Sequence, residues 1–166
     1  IGTRDSELAL WQAHTVEKKL NDLGYKTSIV AVKSQGDIIL DKPLYELGIT
    51  GIFTKTLDIA MINGDIDIAV HSMKDVPTAL PKGIVQAAVL PRANVLDILV
   101  HKGNPDFTNP STIATGSLRR QAQWFNKYPN HTIVDLRGNV NTRMQKLQDN
   151  DWDGAVFAAA GLERIN

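Results

Sequence analysis

The most informative absence in this 166-residue sequence is cysteine, which does not occur at all. Without a thiol these residues cannot form a disulfide, a cysteine-ligated zinc or iron–sulfur site, or a thiol nucleophile. They also offer no thiol for covalent attachment of a cofactor. The histidines lie on separate predicted elements without metal-ligand spacing, so no metal site is predicted. They are His14, His71, His101 and His131.

Excess charge and long apolar runs are absent as well. Eighteen Lys and Arg balance eighteen Asp and Glu, which gives a formal net charge of 0. This balance removes the general electrostatic argument for nucleic-acid binding, which we do not expect. No apolar run approaches the roughly 20 residues of a transmembrane helix, and no signal-peptide pattern is present. We therefore expect a cytoplasmic protein that does not bind membranes.

Strand-like and helix-like segments alternate along the chain. Strand patterns cover residues 28–32, 66–70, 84–90, 97–101, 113–115, 132–136 and 154–158. Helical periodicity fills most of the intervals between them. This order predicts an α/β fold with mostly parallel sheets. We predict two small units, 1–91 and 92–166, with a ligand cleft between them, and we expect the chain to be part of a longer protein.

A first functional motif directly follows the predicted strand 66–70. The segment His71-Ser72-Met73-Lys74-Asp75 places a hydroxyl, an ammonium and a carboxylate in one turn. In open α/β sheets, ligands bind at the carboxyl ends of strands. The motif therefore indicates a binding site, although a solvated Lys–Asp pair would explain it equally well.

Two further motifs lie at predicted strand-to-helix junctions. One is Thr115-Gly116-Ser117-Leu118-Arg119-Arg120, and the other runs from Leu136 to Arg143 and contains Arg137-Gly138-Asn139. Arginines in a first helical turn oppose the helix dipole, which favours acids there. An anion held between them would account for the placement, whereas solvent-facing arginines are the alternative interpretation.

Cations thus follow several predicted strands, with Arg4 before the first helix as another example. We predict a cationic cleft for a ligand that carries several carboxylates or phosphates, because the arginine fork pairs with a carboxylate through two hydrogen bonds. Asp75 is a carboxylate among these cations. It is a candidate for stabilising positive charge that develops during a reaction.

Together these motifs resemble the hydroxymethylbilane synthase (porphobilinogen deaminase) family along essentially the whole chain. They are Thr3-Arg4 with Ser6, LALWQA (8–13), Gly36-Asp37, DIAVHSMKDVP (67–77), GSLRR (116–120), LRGNV (136–140) with Thr142-Arg143, and AGL (160–162). The resemblance implies an enzyme of tetrapyrrole (heme) biosynthesis. It joins four porphobilinogen units head to tail, with release of ammonia, to make hydroxymethylbilane.

The resemblance also implies a dipyrromethane cofactor, which primes the polymerisation. It implies two periplasmic-binding-protein-like domains and a third domain whose cysteine holds the cofactor by a thioether. The family is usually monomeric. This chain would comprise domain 1 without its return segment and a truncated domain 2. We therefore expect the isolated chain to be inactive.

By the same resemblance, Asp75 is the catalytic aspartate that stabilises the azafulvene-like cation left by loss of ammonia. The residues that match cofactor- and substrate-binding positions are Arg4, Ser6, Ser72, Lys74, Thr115, Ser117, Arg119, Arg120, Arg137, Gly138, Asn139, Arg143 and Gly161.

One position departs from the family pattern. Thr50 stands where the family has a lysine that reaches the cofactor, and Lys55 matches a different family lysine. From the residues alone, a non-catalytic anion-binding module is the main alternative to an enzyme.

Overall fold

The computed structural model describes residues 1–33 and 51–165, which divide into two compact units. Unit one contains residues 1–33 and 51–91 with Ile165, and unit two contains residues 92–164. The domain limits predicted for the whole protein stay a prediction. Thr50 and the Gly36-Asp37 motif lie outside the described residues.

Unit one is built around a short parallel strand pair. Strand β1 (Gly2–Arg4) pairs in parallel with β2 (Val30–Val32), and helix α1 (Glu7–Asp22) lies between them in the chain. Helix α2 (Lys55–Asn63) ends at Gly64, whose φ of +79° suits a left-handed C-cap. Packing of these elements against β1 fixes the position of the strand end at Arg4 and of the residues that follow it.

The helical periodicity predicted before residues 28–32 is confirmed by α1, although Leu23 at its end is 74% exposed. Ser6 caps the helix by accepting a hydrogen bond from the backbone N–H of Ala9 at 3.4 Å, which satisfies one of the unpaired donors at a helix N-terminus. Ala9 and Ala13 are buried one turn apart. Leu23 caps the C-terminus, and Gly24 follows with a φ of +89°.

The buried side of unit one requires a glycine in β1. A Cβ at Gly2 would collide with the side chains of Ile66 and Leu57, both of which are buried. The absence of a side chain at Gly2 therefore allows α2 and residues 66–70 to approach β1 closely.

Unit two contains a four-stranded sheet in the order β3-β6-β4-β5. The strands are β3 (Asp97–His101), β4 (Thr112–Ala114), β5 (Thr132–Val134) and β6 (Gly154–Ala158). The helices are α3 (Leu118–Lys127), α4 (Val140–Asp149) and α5 (Ala159–Leu162). Strand β4 pairs in parallel with both β5 and β6, and β3 pairs antiparallel with β6. The predicted α/β class with mostly parallel sheets is confirmed.

The core of unit two lies beneath the carboxyl ends of these strands. Its buried members are Ala114, Leu136, Leu147, Ala155 and Phe157. Leu136 is completely buried two residues after the end of β5 and directly before the candidate site segment 137–139. Packing in the core therefore fixes the backbone from which the candidate site residues project.

Two of the predicted strands do not form. Residues 66–70 contact β1 through a single parallel bridge, Gly2 to Ala69, rather than forming a full strand. Residues 84–90 form no strand, and Val85 is 80% exposed. Alternation of Ile66, Ile68 and Val70 with polar or small residues, and the apolar pattern of 84–90, predicted strands. A strand also needs a pairing partner. Strand β1 is only three residues long, so it can pair with only part of segment 66–70. Among the described residues, segment 84–90 has no strand beside it to pair with.

We predict that Leu136→Ala lowers the free energy of unfolding by about 2–5 kcal/mol, because it leaves a cavity in the core of unit two. Leu118→Ala is the matched control: Leu118 is 55% exposed, and its loss changes stability by less than about 0.5 kcal/mol. Urea unfolding followed by tryptophan fluorescence measures both values. Equal effects of the two substitutions would contradict the described core.

Candidate functional site

In unit one, two neighbouring chain segments end at the same edge. Strand β1 ends at Arg4, and the parallel segment 66–70 leads into His71. Backbone hydrogen bonds from Gly2 N to Ile68 O (2.7 Å) and from Val70 N to Gly2 O (2.9 Å) hold the two segments together. Arg4 and the motif His71–Asp75 are thereby brought to one place.

A shallow pocket lies between these two segment ends, and we call it the unit-one pocket. It is lined by Arg4, Ser6, Leu8, Ala9, Gln12, Val70, His71, Ser72 and Asp75. Four predicted site residues therefore meet here: Arg4, Ser6, Ser72 and Asp75. The predicted ligand Lys74 is exposed on the neighbouring 3₁₀ turn (Met73–Asp75) and does not line the pocket.

Two contacts position Arg4 and Ser72 at the unit-one pocket, one with an aromatic ring and one with a side-chain amide. The guanidinium carbon of Arg4 lies 4.4 Å from the ring centroid of Phe53, a cation–π contact. The amide Nε2 of Gln12 lies 3.0 Å from the hydroxyl of Ser72. Neither Gln12 nor Phe53 was predicted as a site residue. Gln12 faces the pocket because it lies one helical turn after Leu8 and Ala9, which also line it. This spacing is a weak signal in the sequence alone.

His71 is a further pocket residue that the sequence analysis left out. Its Nε2 atom is buried without a hydrogen-bond partner among the described residues. Burial lowers the pKa of His71, and this effect outweighs the attraction of Asp58 and Asp75, while Arg4 lowers it further. The imidazole is therefore neutral at pH 7 and presents no additional positive charge to the pocket.

In unit two, the adjacent parallel strands β4 and β5 also end side by side. Thr115 follows β4, is buried, and accepts a hydrogen bond on its hydroxyl from the backbone N–H of Ser117 at 3.3 Å. A Cβ at Gly116 would lie 2.6 Å from the carbonyl oxygen of Leu136. Glycine is required there because the two strand ends approach so closely.

The helices that follow β4 and β5 begin at predicted site residues. Ser117 caps α3 by accepting a hydrogen bond from the N–H of Arg120 at 3.4 Å. Asn139 caps α4 by accepting one from the N–H of Thr142 at 2.9 Å. Each cap leaves other N–H groups of the first turn oriented toward the strand-end edge, where they favour an anion.

The arginines of α3 share a carboxylate from the chain itself. Nη2 of Arg119 donates to Oδ2 of Asp97 at 3.0 Å, and Nη2 of Arg120 donates to Oδ1 of Asp97 at 2.6 Å. The hydrogen bond from Arg120 is the main cause that lowers the pKa of Asp97, with Arg119 as a second donor. In this structure, the anion between these two arginines is the carboxylate of Asp97.

The end of β5 carries a second pair of arginines in different environments. Arg137 is only 3% exposed, and burial lowers its pKa while nearby Asp135 opposes that shift. Arg143, one turn into α4, donates from Nε to the carbonyl oxygen of Gly138 at 2.7 Å. Gly138 has a φ of +111°, and a Cβ there would meet Thr142, so only glycine suits this turn.

The predicted site residues therefore fall into two groups, one in each unit. The group in unit two comprises Thr115, Ser117, Arg119, Arg120, Arg137, Gly138, Asn139 and Arg143, with Gly161 in α5 after the parallel strand β6. Residues 1–33 and 51–165 contain no cluster of three or more His, Asp or Glu side chains suited to a metal ion. No helix in the same ranges is long and apolar enough to cross a membrane.

These features define an α/β protein with arginine, hydroxyl and amide groups at the carboxyl ends of its parallel strands. Comparison with known families then identifies the kind of protein. Residues 1–166 match the family described as "Porphobilinogen deaminase, dipyromethane cofactor binding domain". The chain belongs to the porphobilinogen deaminase family.

Individual relatives agree with this assignment. The chain is 48% identical over 170 residues to a porphobilinogen deaminase of Desulfitobacterium hafniense, covering 99% of this chain and 55% of the relative. It is 47% identical to a probable porphobilinogen deaminase of Methanocaldococcus jannaschii, covering 99% and 57%. It is 46% identical to a chloroplastic porphobilinogen deaminase of Oryza sativa, covering 100% and 49%. The chain thus spans about half the length of the curated relatives it matches.

We predict that His71 titrates below its ordinary pKa of 6.5 in the folded chain. The unfolded chain then takes up this proton at a higher pH than the folded chain. The contribution of His71 to stability is therefore complete above about pH 6.5 and declines as the pH falls from there to the folded pKa.

An NMR titration of the His71 ring measures this pKa directly. The same titration in concentrated urea is the control, and its midpoint should return to about 6.5. A folded midpoint at or above the unfolded one would contradict the burial described for the imidazole.

Proposed function

We propose that this chain is part of an enzyme that deaminates porphobilinogen and joins four such units head to tail into hydroxymethylbilane. The juxtaposition of Asp75 and Arg4 in the unit-one pocket carries the proposal. It combines one carboxylate with a guanidinium in a site that is otherwise lined by hydroxyl, amide, imidazole and apolar groups. Membership of the porphobilinogen deaminase family supports the assignment.

The cationic groups suit the substrate's side chains. Porphobilinogen carries an acetate and a propionate arm, and each ring added to the product adds two more carboxylates. Guanidinium groups hold such arms through charge-assisted hydrogen bonds. Arg4 in unit one, and Arg119 and Arg143 in unit two, supply them at strand ends, where helix N-termini add to the attraction.

Asp75 has a separate role from the arginines. Loss of ammonia from the aminomethyl group leaves positive charge on the pyrrole and its exocyclic carbon. A fixed carboxylate next to this charge lowers the energy of the transition state. The 3₁₀ turn holds Asp75 through a hydrogen bond from its backbone N–H to the carbonyl oxygen of Ser72 at 2.9 Å.

The residues present fit a dipyrromethane cofactor. Its acetate and propionate arms need cationic and hydroxyl donors, and unit two offers both where α3 and α4 begin. Ser117, Arg119 and Arg143 would hold the arms. When bound, the cofactor supplies the pyrrole carbon to which the first substrate is joined. Since these 166 residues contain no cysteine, its thioether requires a residue outside them.

Three expectations about the whole protein stay predictions. They are the periplasmic-binding-protein-like pairing of two units around a shared cleft, a monomeric state, and a cytoplasmic location. The rice relative is named as chloroplastic, so location varies among the relatives.

We predict that Asp75→Asn in the full-length protein lowers kcat by at least about 100-fold while the fold is retained, because the neutral amide cannot stabilise developing positive charge. Asp65→Asn is the matched control, since Asp65 is exposed at the other end of segment 66–70. Turnover is measured as porphobilinogen consumption, and folding by circular dichroism. Near-wild-type turnover of the Asp75 variant would remove its catalytic role.

We predict that Arg143→Ala impairs cofactor loading or chain elongation, because a carboxylate arm loses its guanidinium and the Gly138 carbonyl loses a donor. Lys127→Ala is the control, since Lys127 lies in the last turn of α3, away from the strand-end edge. Intact mass under denaturing conditions reports loading and the number of rings added. Normal loading and elongation would exclude Arg143 from the site.

The alternative of a non-catalytic anion-binding module gives a different result in calorimetry. Tight binding of a small inorganic or amino-acid anion, with none of porphobilinogen, would favour that module over the proposed enzyme.

A further inference from the structure

The N-terminus of helix α3 has an unusual charge arrangement. Its first turn contains no acidic residue, yet it carries Arg119 and Arg120. The positive end of the helix dipole disfavours cations there. A nearby anion offsets this repulsion.

Asp97 is that anion, and its position in the sheet explains how it reaches the site. It is the first residue of β3, and its register partner is Ala158 at the carboxyl end of the antiparallel strand β6. Strand β6 is parallel to β4, which leads into α3. The antiparallel strand therefore presents a carboxylate at the same edge where the parallel strands present their cations.

The two arginines are held to different degrees. Nη1 of Arg120 also donates to the carbonyl oxygen of Val156 at 3.1 Å, and its side chain is only 15% exposed. Arg119 donates its other terminal nitrogen to Gln123 on the same helix at 3.1 Å, and its side chain is 61% exposed. Arg120 is therefore fixed to the sheet, whereas Arg119 is fixed mainly to its own helix and to Asp97.

We propose that Asp97 is a positioning residue that acts as an internal counter-anion: it orients both arginines and gives up Arg119, but not Arg120, to an incoming ligand carboxylate. This inference rests on the proposed function, in which Arg119 binds carboxylate arms. It adds a residue, Asp97, that neither the motifs nor the strand-end pattern placed in the site.

The energies favour exchange at Arg119 alone. An exposed ion pair contributes little net stability, so a ligand carboxylate can replace Asp97 at Arg119 at little cost. At Arg120, replacement would disturb a mostly buried guanidinium that is also bonded to Val156. Asp97 is 28% exposed, and because one carboxylate faces two guanidiniums, an excess positive charge remains available to the ligand.

The test measures succinate binding to the full-length protein at low ionic strength, where charge effects are least screened. Asp97→Asn keeps the side-chain shape and removes the competing charge, so succinate should bind about two- to fivefold more tightly. Asp151→Asn is the matched control: it removes the same charge from the loop before β6, at the opposite edge, and should leave the affinity unchanged. Asp97→Glu keeps the competing charge and should not tighten binding.

Two further measurements separate exchange from a purely structural ion pair. In an Arg119→Ala background, Asp97→Asn should no longer tighten succinate binding. In the wild-type protein, succinate should shift the NMR signal of the Arg119 Nε–H group and leave that of Arg120 in place. The second measurement applies even if the Asp97 variants fold poorly.

Several results would overturn the inference. They are weaker or unchanged binding by a folded Asp97→Asn variant, equal shifts of both arginine signals, and absence of any succinate binding. These outcomes are independent of turnover. If Asp97 behaves as proposed but the full-length protein consumes no porphobilinogen, the proposed reaction is wrong and the role of Asp97 as a counter-anion still holds.

Discussion

The parallel alignment of strand ends with helix N-termini is the constraint on which the candidate sites depend. A parallel strand must be followed by a connection that returns to the other end of the sheet, and here the connections begin with capped helices. Ser6, Ser117 and Asn139 each accept a hydrogen bond from the first turn of such a helix. In unit two, β4 and β5 are parallel neighbours, so the starts of α3 and α4 lie at a common edge and orient their donors there.

In each unit, carboxylates of the chain itself lie near the arginines at the strand ends. Asp97 neutralises part of the charge on Arg119 and Arg120, and Asp75 lies with Arg4 in the unit-one pocket. A site with unopposed cations would repel itself and weaken the fold. In unit two, one carboxylate faces two guanidiniums, so net positive charge remains there. In the proposed exchange, a ligand carboxylate replaces Asp97 at Arg119.

Sequence reasoning identified much of this arrangement because its signals are local. The helical spacing of Ala9 and Ala13, the glycine at the end of α2, and the hydroxyl or amide caps all depend on residues within one or two turns. The same holds for the cationic motifs after the strands. Strand extent was less predictable, since residues 66–70 and 84–90 have strand-like composition but lack adequate pairing partners among the described residues. Whether a segment pairs depends on the strand that lies beside it in the fold, which its own sequence does not show.

The sequence by itself determined the α/β class, the family resemblance and the residue types at the strand ends, because these follow from periodicity and short motifs. Only the tertiary structure decided which arginine is buried, which is exposed, and what each one contacts. Arg119 and Arg120 are adjacent in sequence, yet one is mostly exposed and the other is bonded to Val156 in the sheet. Asp97 lies more than twenty residues before them, and only the antiparallel pairing of β3 with β6 brings it to their side.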